Sequence, residues 1–366
     1  MKKVLVNGYF GRNFGDDLFF KILFERYKNT EFTFYSNSYH PNLYKCYKEI
    51  YALNNNVIIK KYKKVRKVFE KLNMVNIINN IQYRKFDMSI FIGGSIFMQN
   101  KYWNLTYKEK TNIINYFSSQ TKPVYILGSN FGPYSTDDFK IKYENNFKKV
   151  TDICFREEYS YNLFNHLDNV RIAPDIVFTL KSENIKKIEN TIGISIIDLE
   201  KKVELCKYKK IYMKKMKEII TSYIDKGKKI TLFSFCEVEG DLNAINEILD
   251  SLSNEYKSHI KVCNYTGNIN KFLYEFQQQE NIIACRFHSV ILSQVFGQGM
   301  YPIIYSDKTY NVLKDIDLND NYIYIKDIQY LNIKDIQENI ELNKLNNKEV
   351  FNKAEKQFSI LDQVLC

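Results

Sequence analysis

Runs of β-branched and aromatic residues alternate along the whole chain with stretches whose apolar positions recur roughly every three to four residues. The runs at residues 3–6, 31–36, 88–92, 124–127, 152–155, 191–197, 229–235, 260–265, 282–285 and 301–305 predict strands. Helical periodicity over residues 16–27, 62–81, 108–119, 208–225, 241–252 and 289–296 predicts the helices between them. Such alternation implies parallel sheets covered by helices. The strands are too many for one compact doubly wound sheet, and the polar stretch 180–190 is the expected boundary. The expected fold is α/β, with two Rossmann-like domains facing a cleft, residues 1–182 and 190–334. A helical segment, 335–366, exceeds what the second sheet needs and is free to cross back to the first domain.

Composition narrows the class. Of the 366 residues, 45% are hydrophobic and 26% charged, as in a soluble globular protein. With 5 Pro and 13 Gly against 29 Tyr and 26 Phe, collagen-like, linker-rich and disordered classes are excluded. No apolar run approaches the ~20 residues of a membrane-spanning helix. Residues 1–10 read as a strand rather than a signal peptide, so a cytoplasmic location is expected. Cys46, Cys154, Cys206, Cys236, Cys263, Cys285 and Cys366 are dispersed without a CxxC pair, which argues against a disulfide framework and a zinc site. The net charge of +11 suits an acidic partner: nucleic acid, anionic lipid or a phosphorylated substrate. Part of that excess follows a drift toward Lys, Asn, Ile and Tyr, so charge alone does not choose.

Parallel sheets bind ligands at the carboxyl ends of their strands, so the residues that follow each strand carry the chemistry. After the first strand comes GYFGRNFGDD, residues 8–17. Its glycines do not fit the G-x-G-x-x-G dinucleotide fingerprint, and no Lys-Ser/Thr pair makes it a P-loop. Asp16 and Asp17 at the helix start would repel a phosphate there but suit sugar hydroxyls or proton transfer; plain helix capping by Asp16 is the simpler alternative. Gly93-Gly94-Ser95 and the run GSNFGP, residues 128–133, end two further strands and let a ligand approach backbone N–H groups. Arg156 stands at a strand-to-helix junction where it could anchor an anion or pair with its own neighbours. Asp175 follows a short strand at 170–172 and fits a turn better than a cleft wall.

The densest cluster is CRFHS, residues 285–289. Arg286 and His288 alternate in extended chain and so are expected to point the same way. Lys308 follows the next strand. Together they form a cationic pocket beside a helix N-terminus, suited to phosphate or carboxylate.

These blocks, in this order, resemble the polysaccharide pyruvyl transferase family. The matching pieces are GRNFGD at 11–16, FIGGS at 91–95, GSNFGP at 128–133, FREEYS at 155–160, APDIVF at 173–178, RFH at 286–288 and YSDK at 305–308. The resemblance implies a GT-B-like architecture with the site between the domains. It implies transfer of a pyruvyl group from phosphoenolpyruvate to two hydroxyls of a sugar, giving a cyclic ketal. The family's donor-site residues fall on Arg156, Arg286, His288 and Lys308.

That chemistry must neutralise a leaving phosphate, supply a proton and deprotonate a sugar. His288 and Arg286 are the expected catalytic residues, with Asp16 or Asp17 as the acceptor-side base. Arg156, Lys308, Gly93, Gly94, Ser95, Asn13, Gly15, Ser129 and Asn130 are expected to bind substrate. The acceptor, a carbohydrate that could be lipid-linked, is expected mainly on the first domain. No metal or cofactor is called for beyond phosphoenolpyruvate as co-substrate, and nucleic acid is not an expected partner. A nucleotide-sugar glycosyltransferase on the same fold is the alternative, kept open by Glu237 and Glu239; a non-catalytic glycan-binding protein is a third. Residues 60–85 carry Lys60, Lys61, Lys63, Lys64, Arg66, Lys67, Lys71, Arg84 and Lys85 against the single acid Glu70. An apolar stripe at helical spacing through the same stretch makes it a candidate for contact with anionic membrane.

Overall fold

A computed structural model of the chain describes residues 1–35, 50–53, 82–181, 185–200, 202–345 and 348–366. The helix expected at 62–81, and with it most of the basic stretch, lies outside the described residues. Two compact units are present: Met1–Phe10 with Phe19–Ile176 and Asn352–Cys366, and Gly11–Leu18 with Val177–Phe351.

The first unit holds strands β1 (Lys2–Asn7), β2 (Thr30–Tyr35), β3 (Ile50–Leu53), β4 (Met88–Ile92), β5 (Val124–Ser129), β6 (Asp152–Phe155) and β7 (Val170–Ile172). They form one sheet in the order β3-β2-β1-β4-β5-β6-β7, and every pairing is parallel. Every residue of β4, β5 and β6 is buried, as expected of strands covered on both faces. Helices Trp103–Ser119 and Asp137–Phe147 pack Phe117, Phe139, Tyr143 and Phe147 against Phe91, Ile126 and Ile153 of the sheet.

The second unit holds β8 (Ile188–Ile196), β9 (Lys229–Ser234), β10 (Ile260–Asn264), β11 (Gln279–Ala284), β12 (Gly299–Ile304) and β13 (Ile323–Tyr324), in the order β10-β9-β8-β11-β12-β13. These pairings are parallel too. Helix Lys209–Asp225 buries Tyr212, Met216, Ile219, Ile220 and Tyr223, one stripe at helical spacing, on Ile192, Ile194, Ile230 and Leu232. The order reverses direction between β8 and β11. That switch point is where an open parallel sheet leaves room for a ligand at its carboxyl edge.

Two expectations are corrected here. The segment Gly11–Leu18, expected with the first domain, groups with the second unit. The reason is Phe14: its amide donates to the Phe235 carbonyl at 3.0 Å, and its ring lies 4.4 to 5.4 Å from those of Phe272, Tyr265 and Phe235. Arg286 and His288 are not alternate positions of one strand. Arg286 is the N-cap of helix Phe287–Val295, and the chain turns at once because its carbonyl accepts from the Ser289 amide at 3.0 Å and the Ser289 hydroxyl at 2.6 Å.

Candidate active site

In the second unit the carboxyl edge of the sheet gathers charge. Arg286 follows β11 and is buried. Its Nη1 donates to Glu239 Oε2 at 2.7 Å, and its Nη2 donates to Asp241 Oδ1. Asp241 opens helix Asp241–Asp250, and its other oxygen accepts from the amides of Phe235 (3.1 Å) and Cys236 (2.9 Å). The guanidinium is thus clamped by two carboxylates delivered from the end of β9. Its Nε is buried and has no hydrogen-bond partner among the described residues.

Glu239 also faces Lys202, whose Nζ lies 3.5 Å from Oε2. Burial pushes the Glu239 carboxyl up, but Arg286, Lys202 and Lys308 more than offset it and hold the group at about 2. The expected pocket of cations alone is therefore corrected: Arg286, Lys202 and Lys308 share their space with Glu239 and Asp241. Lys308 lies in the first turn of helix Asp307–Asp315, with Nζ 5.6 Å from the Phe287 ring centroid and 5.9 Å from that of Tyr305. Lys202 sits 5.0 Å from the same Tyr305 ring.

His288 lies in the first turn of its helix, half-buried, its ring edge-on to Phe287. The segment carrying Asn13 and Gly15 packs on it. A Cβ placed on Gly15 would stand 1.8 Å from His288 Nδ1, so only glycine permits this approach. The Gly15 amide donates to Asn13 Oδ1 at 3.1 Å, and Asn13 Nδ2 reaches Glu239 Oε1 at 3.5 Å. Asn13, Gly15, Arg286, His288 and Lys308 therefore belong to one cluster in one unit. Asp16 and Asp17 part company. Asp17 is buried, its Oδ2 accepting from the Tyr265 hydroxyl at 2.7 Å, whereas Asp16 is half-buried.

The first unit carries a second cluster at the carboxyl ends of β4, β5 and β6. Arg156 Nη1 donates to Asp175 Oδ2 at 2.8 Å and Nη2 to Asn130 Oδ1 at 2.6 Å, all three residues being buried. Its guanidinium lies on Gly94, where a Cβ would meet both Nη atoms at 2.7 Å. Asp175 is thus an ion-pair partner rather than a turn cap. Ser129 Oγ donates to the Gly93 carbonyl at 2.8 Å, and the Asn130 amide to the Gly94 carbonyl at 2.9 Å. Ser95, half-buried, donates to Asn130 Oδ1 at 3.3 Å.

Sequence reasoning missed Asp241 and Lys202, and it named Glu239 only for a nucleotide. The signal was present as three acids, Glu237, Glu239 and Asp241, directly after one strand. It also missed Gln357, fully buried in the C-terminal segment. Its side-chain oxygen accepts from the Gly128 amide at 2.9 Å, and its nitrogen donates to the carbonyls of Ala173 (2.8 Å) and Pro174 (3.1 Å). The cysteines near the clusters are inert by environment: burial pushes the Cys154 and Cys285 thiols up to about 12. Among the described residues no group of His, Cys, Asp or Glu is arranged to hold a metal ion, and no helix is long and apolar enough to cross a membrane.

Solved structures share this architecture. UDP-GlcNAc 2-epimerase from Methanocaldococcus jannaschii, in complex with UDP-GlcNAc and UDP, aligns over 99% of this chain and 100% of its own, with TM-score 0.56 and 13% identity. HepE from Anabaena, in complex with UDP-glucose, aligns over 100% and 98% with TM-score 0.56 and 9% identity. MnaA from S. aureus, with UDP, aligns over 100% and 98% with TM-score 0.53 and 11% identity. At such identities the likeness establishes the fold, a GT-B-like α/β arrangement, and nothing finer. No curated protein matches the chain in sequence. The model of the polysaccharide pyruvyl transferase family matches residues 13–307, a span that holds Asn13, Gly94, Arg156, Arg286 and His288, and the chain belongs to that family.

Proposed function

We propose that the protein transfers the pyruvyl group of phosphoenolpyruvate to two hydroxyls of a sugar, in a surface polysaccharide or its lipid-linked precursor, with release of phosphate. The observation that carries this reading is the placement of Arg286, His288 and Lys308 after adjacent parallel strands, β11 and β12, each beside a helix N-terminus. Helix N-termini and cations together favour a small anion bearing carboxylate and phosphate.

The reaction adds a proton to the methylene carbon of phosphoenolpyruvate and so makes C2 electrophilic. A first sugar hydroxyl adds at C2 and gives up its proton. The C2–O bond to phosphate breaks, and the second hydroxyl adds, its proton leaving with phosphate. His288 is the group for proton movement, since an imidazole exchanges a proton near neutral pH. Lys308 and the N-terminus of helix Phe287–Val295 meet the phosphate. Arg286, held by Glu239 and Asp241, keeps a fixed positive charge beside it. Asp16 is the better base for the sugar because Asp17 is buried against Tyr265. Arg156, committed to Asp175 and Asn130, acts from behind Gly94 rather than as a free anchor.

The competing reading is transfer from a nucleotide-sugar, since the solved relatives hold UDP or UDP-sugars. It would use Glu239 for the ribose, but that carboxylate is engaged by Arg286 and Lys202. Contact of residues 60–85 with anionic membrane would bring the enzyme to a lipid-linked acceptor. Salt-sensitive co-sedimentation with anionic vesicles, lost on changing Lys60, Lys61, Lys63 and Lys64 to Gln, tests that contact. The transfer itself is tested by incubating the protein with ¹³C-labelled phosphoenolpyruvate and a panel of lipid-linked and free glycans. Phosphate release with a labelled ketal carbon on the glycan supports it; sugar transfer from UDP-sugars without loss of phosphoenolpyruvate contradicts it.

A further inference from the structure

The outer strand of the second sheet ends among tyrosines. β13 pairs in parallel with β12, with Tyr324 opposite Ile304, so Tyr324 lies at the carboxyl edge that also carries Lys308. Tyr310, two residues beyond Lys308, and Tyr322, just before β13, join it. Ring centroids are 5.6 Å apart for Tyr310 and Tyr322, 5.6 Å for Tyr322 and Tyr324, and 6.4 Å for Tyr310 and Tyr324. All three side chains are half-buried. Tyrosines packed for the core are buried whole; these three are only partly covered and stand beside one another.

The surround is polar. The Tyr324 hydroxyl donates to Asp307 Oδ1 at 3.3 Å, and Lys326 Nζ lies 4.6 Å from the Tyr324 ring centroid. Asp327 is close enough to Tyr322 to help raise its phenol, after burial and Tyr310. Aromatic rings set among phenol hydroxyls and carboxylates, with an amine over one ring, match a pyranose. Its C–H faces stack on rings, and its equatorial hydroxyls meet both donors and acceptors.

We propose that Tyr310, Tyr322 and Tyr324 form a glycan-binding platform for a sugar unit of the acceptor other than the one that receives the pyruvyl group. The proposal rests on the reading of the protein as a polysaccharide-modifying transferase. It places a contact with the acceptor on the second unit.

The test uses the full chain on a printed array of bacterial surface oligosaccharides, with calorimetric titration of phosphoenolpyruvate in parallel. Wild type is expected to bind array glycans. Tyr310→Ala with Tyr322→Ala is expected to weaken that binding by about tenfold or more, while the phosphoenolpyruvate titration stays unchanged and shows the variant folded. Tyr322→Trp, which keeps a stacking face, is expected to retain binding even if the double variant fails to fold. Equal glycan binding by wild type and the alanine variants overturns the platform, as does a wild type that binds no array glycan. Glycan binding lost with the tyrosines, in a variant whose circular dichroism matches wild type and in a protein that never binds phosphoenolpyruvate, supports the platform and counts against the pyruvyl donor.

Discussion

The His288 ring fills the space that a side chain at Gly15 would take: a methyl group at residue 15 would lie 1.8 Å from Nδ1 and 2.4 Å from Cε1 of the imidazole. The ring and the loop must therefore move apart if any side chain is added. The glycine after the first strand thus serves the histidine of the second sheet.

Gly15→Ala is expected to lower turnover by about a hundredfold, the scale on which a ~1 Å displacement of a reacting group is felt. Circular dichroism should be nearly unchanged, because the conflict is local to His288. Turnover within a few-fold of wild type would separate His288 from the chemistry.

Glu239 sets a pH signature. Its carboxyl is depressed from 4.5 to about 2 in the folded protein, because Arg286, Lys202 and Lys308 outweigh the burial that pushes it up. A depressed carboxyl contributes stability that is complete above pH 4.5 and is lost as pH falls through about 2. The stability gap between wild type and Glu239→Gln should thus be constant above pH 4.5 and close between 4.5 and 2. Urea unfolding at a series of pH values measures it. A gap independent of pH would mean that the carboxylate is not held by these cations.

Gln357 ties the C-terminal segment to the turn after β5 and to the loop after β7. Gln357→Ala leaves the Gly128 amide and the Ala173 and Pro174 carbonyls without this partner. A loss of about 3 kcal/mol or more is expected, at ~1–3 kcal/mol for each of the three buried polar groups left unsatisfied. Denaturant titration gives the value, and a loss below ~1 kcal/mol would contradict the role.

Asp16 and Asp17 should behave differently although they are neighbours. Asp16→Asn is expected to slow turnover with stability kept. Tyr265→Phe is expected to cost about 1–3 kcal/mol, by leaving the buried Asp17 carboxylate without the Tyr265 hydroxyl. If Tyr265→Phe leaves stability unchanged while Asp16→Asn leaves turnover unchanged, the two acids have been assigned the wrong way round.

Much of this was legible in the sequence, for physical reasons that also mark its limits. The sequence shows the ends of β4 and β6 because short, mainly apolar runs, closed by Gly93 and by Arg156, mark strands buried on both faces. It does not show β3 and β13, edge strands of 4 and 2 residues with too little sequence to show a pattern. Arg286, His288 and Lys308 stand out in the sequence because parallel sheets carry ligand-binding residues after their strands, and the structure brings them into one cluster. Which charges meet does not stand out: the clamp of Glu239 and Asp241 on Arg286 depends on β9 lying two strands from β11, a matter of topology. Gln357 carried no local signal, since a glutamine in a helical tail looks the same whether it caps distant carbonyls or faces water.

The identity of the donor decides what the protein does. Calorimetric titration of the full chain with phosphoenolpyruvate, and separately with UDP and UDP-glucose, tests it most directly, with Lys308→Gln and His288→Ala run alongside. The predicted result is binding of phosphoenolpyruvate, weakened about tenfold or more by Lys308→Gln through loss of a charge-assisted contact, and no measurable heat with UDP or UDP-glucose. Tight binding of UDP or UDP-glucose by a protein that gives no heat with phosphoenolpyruvate would contradict it.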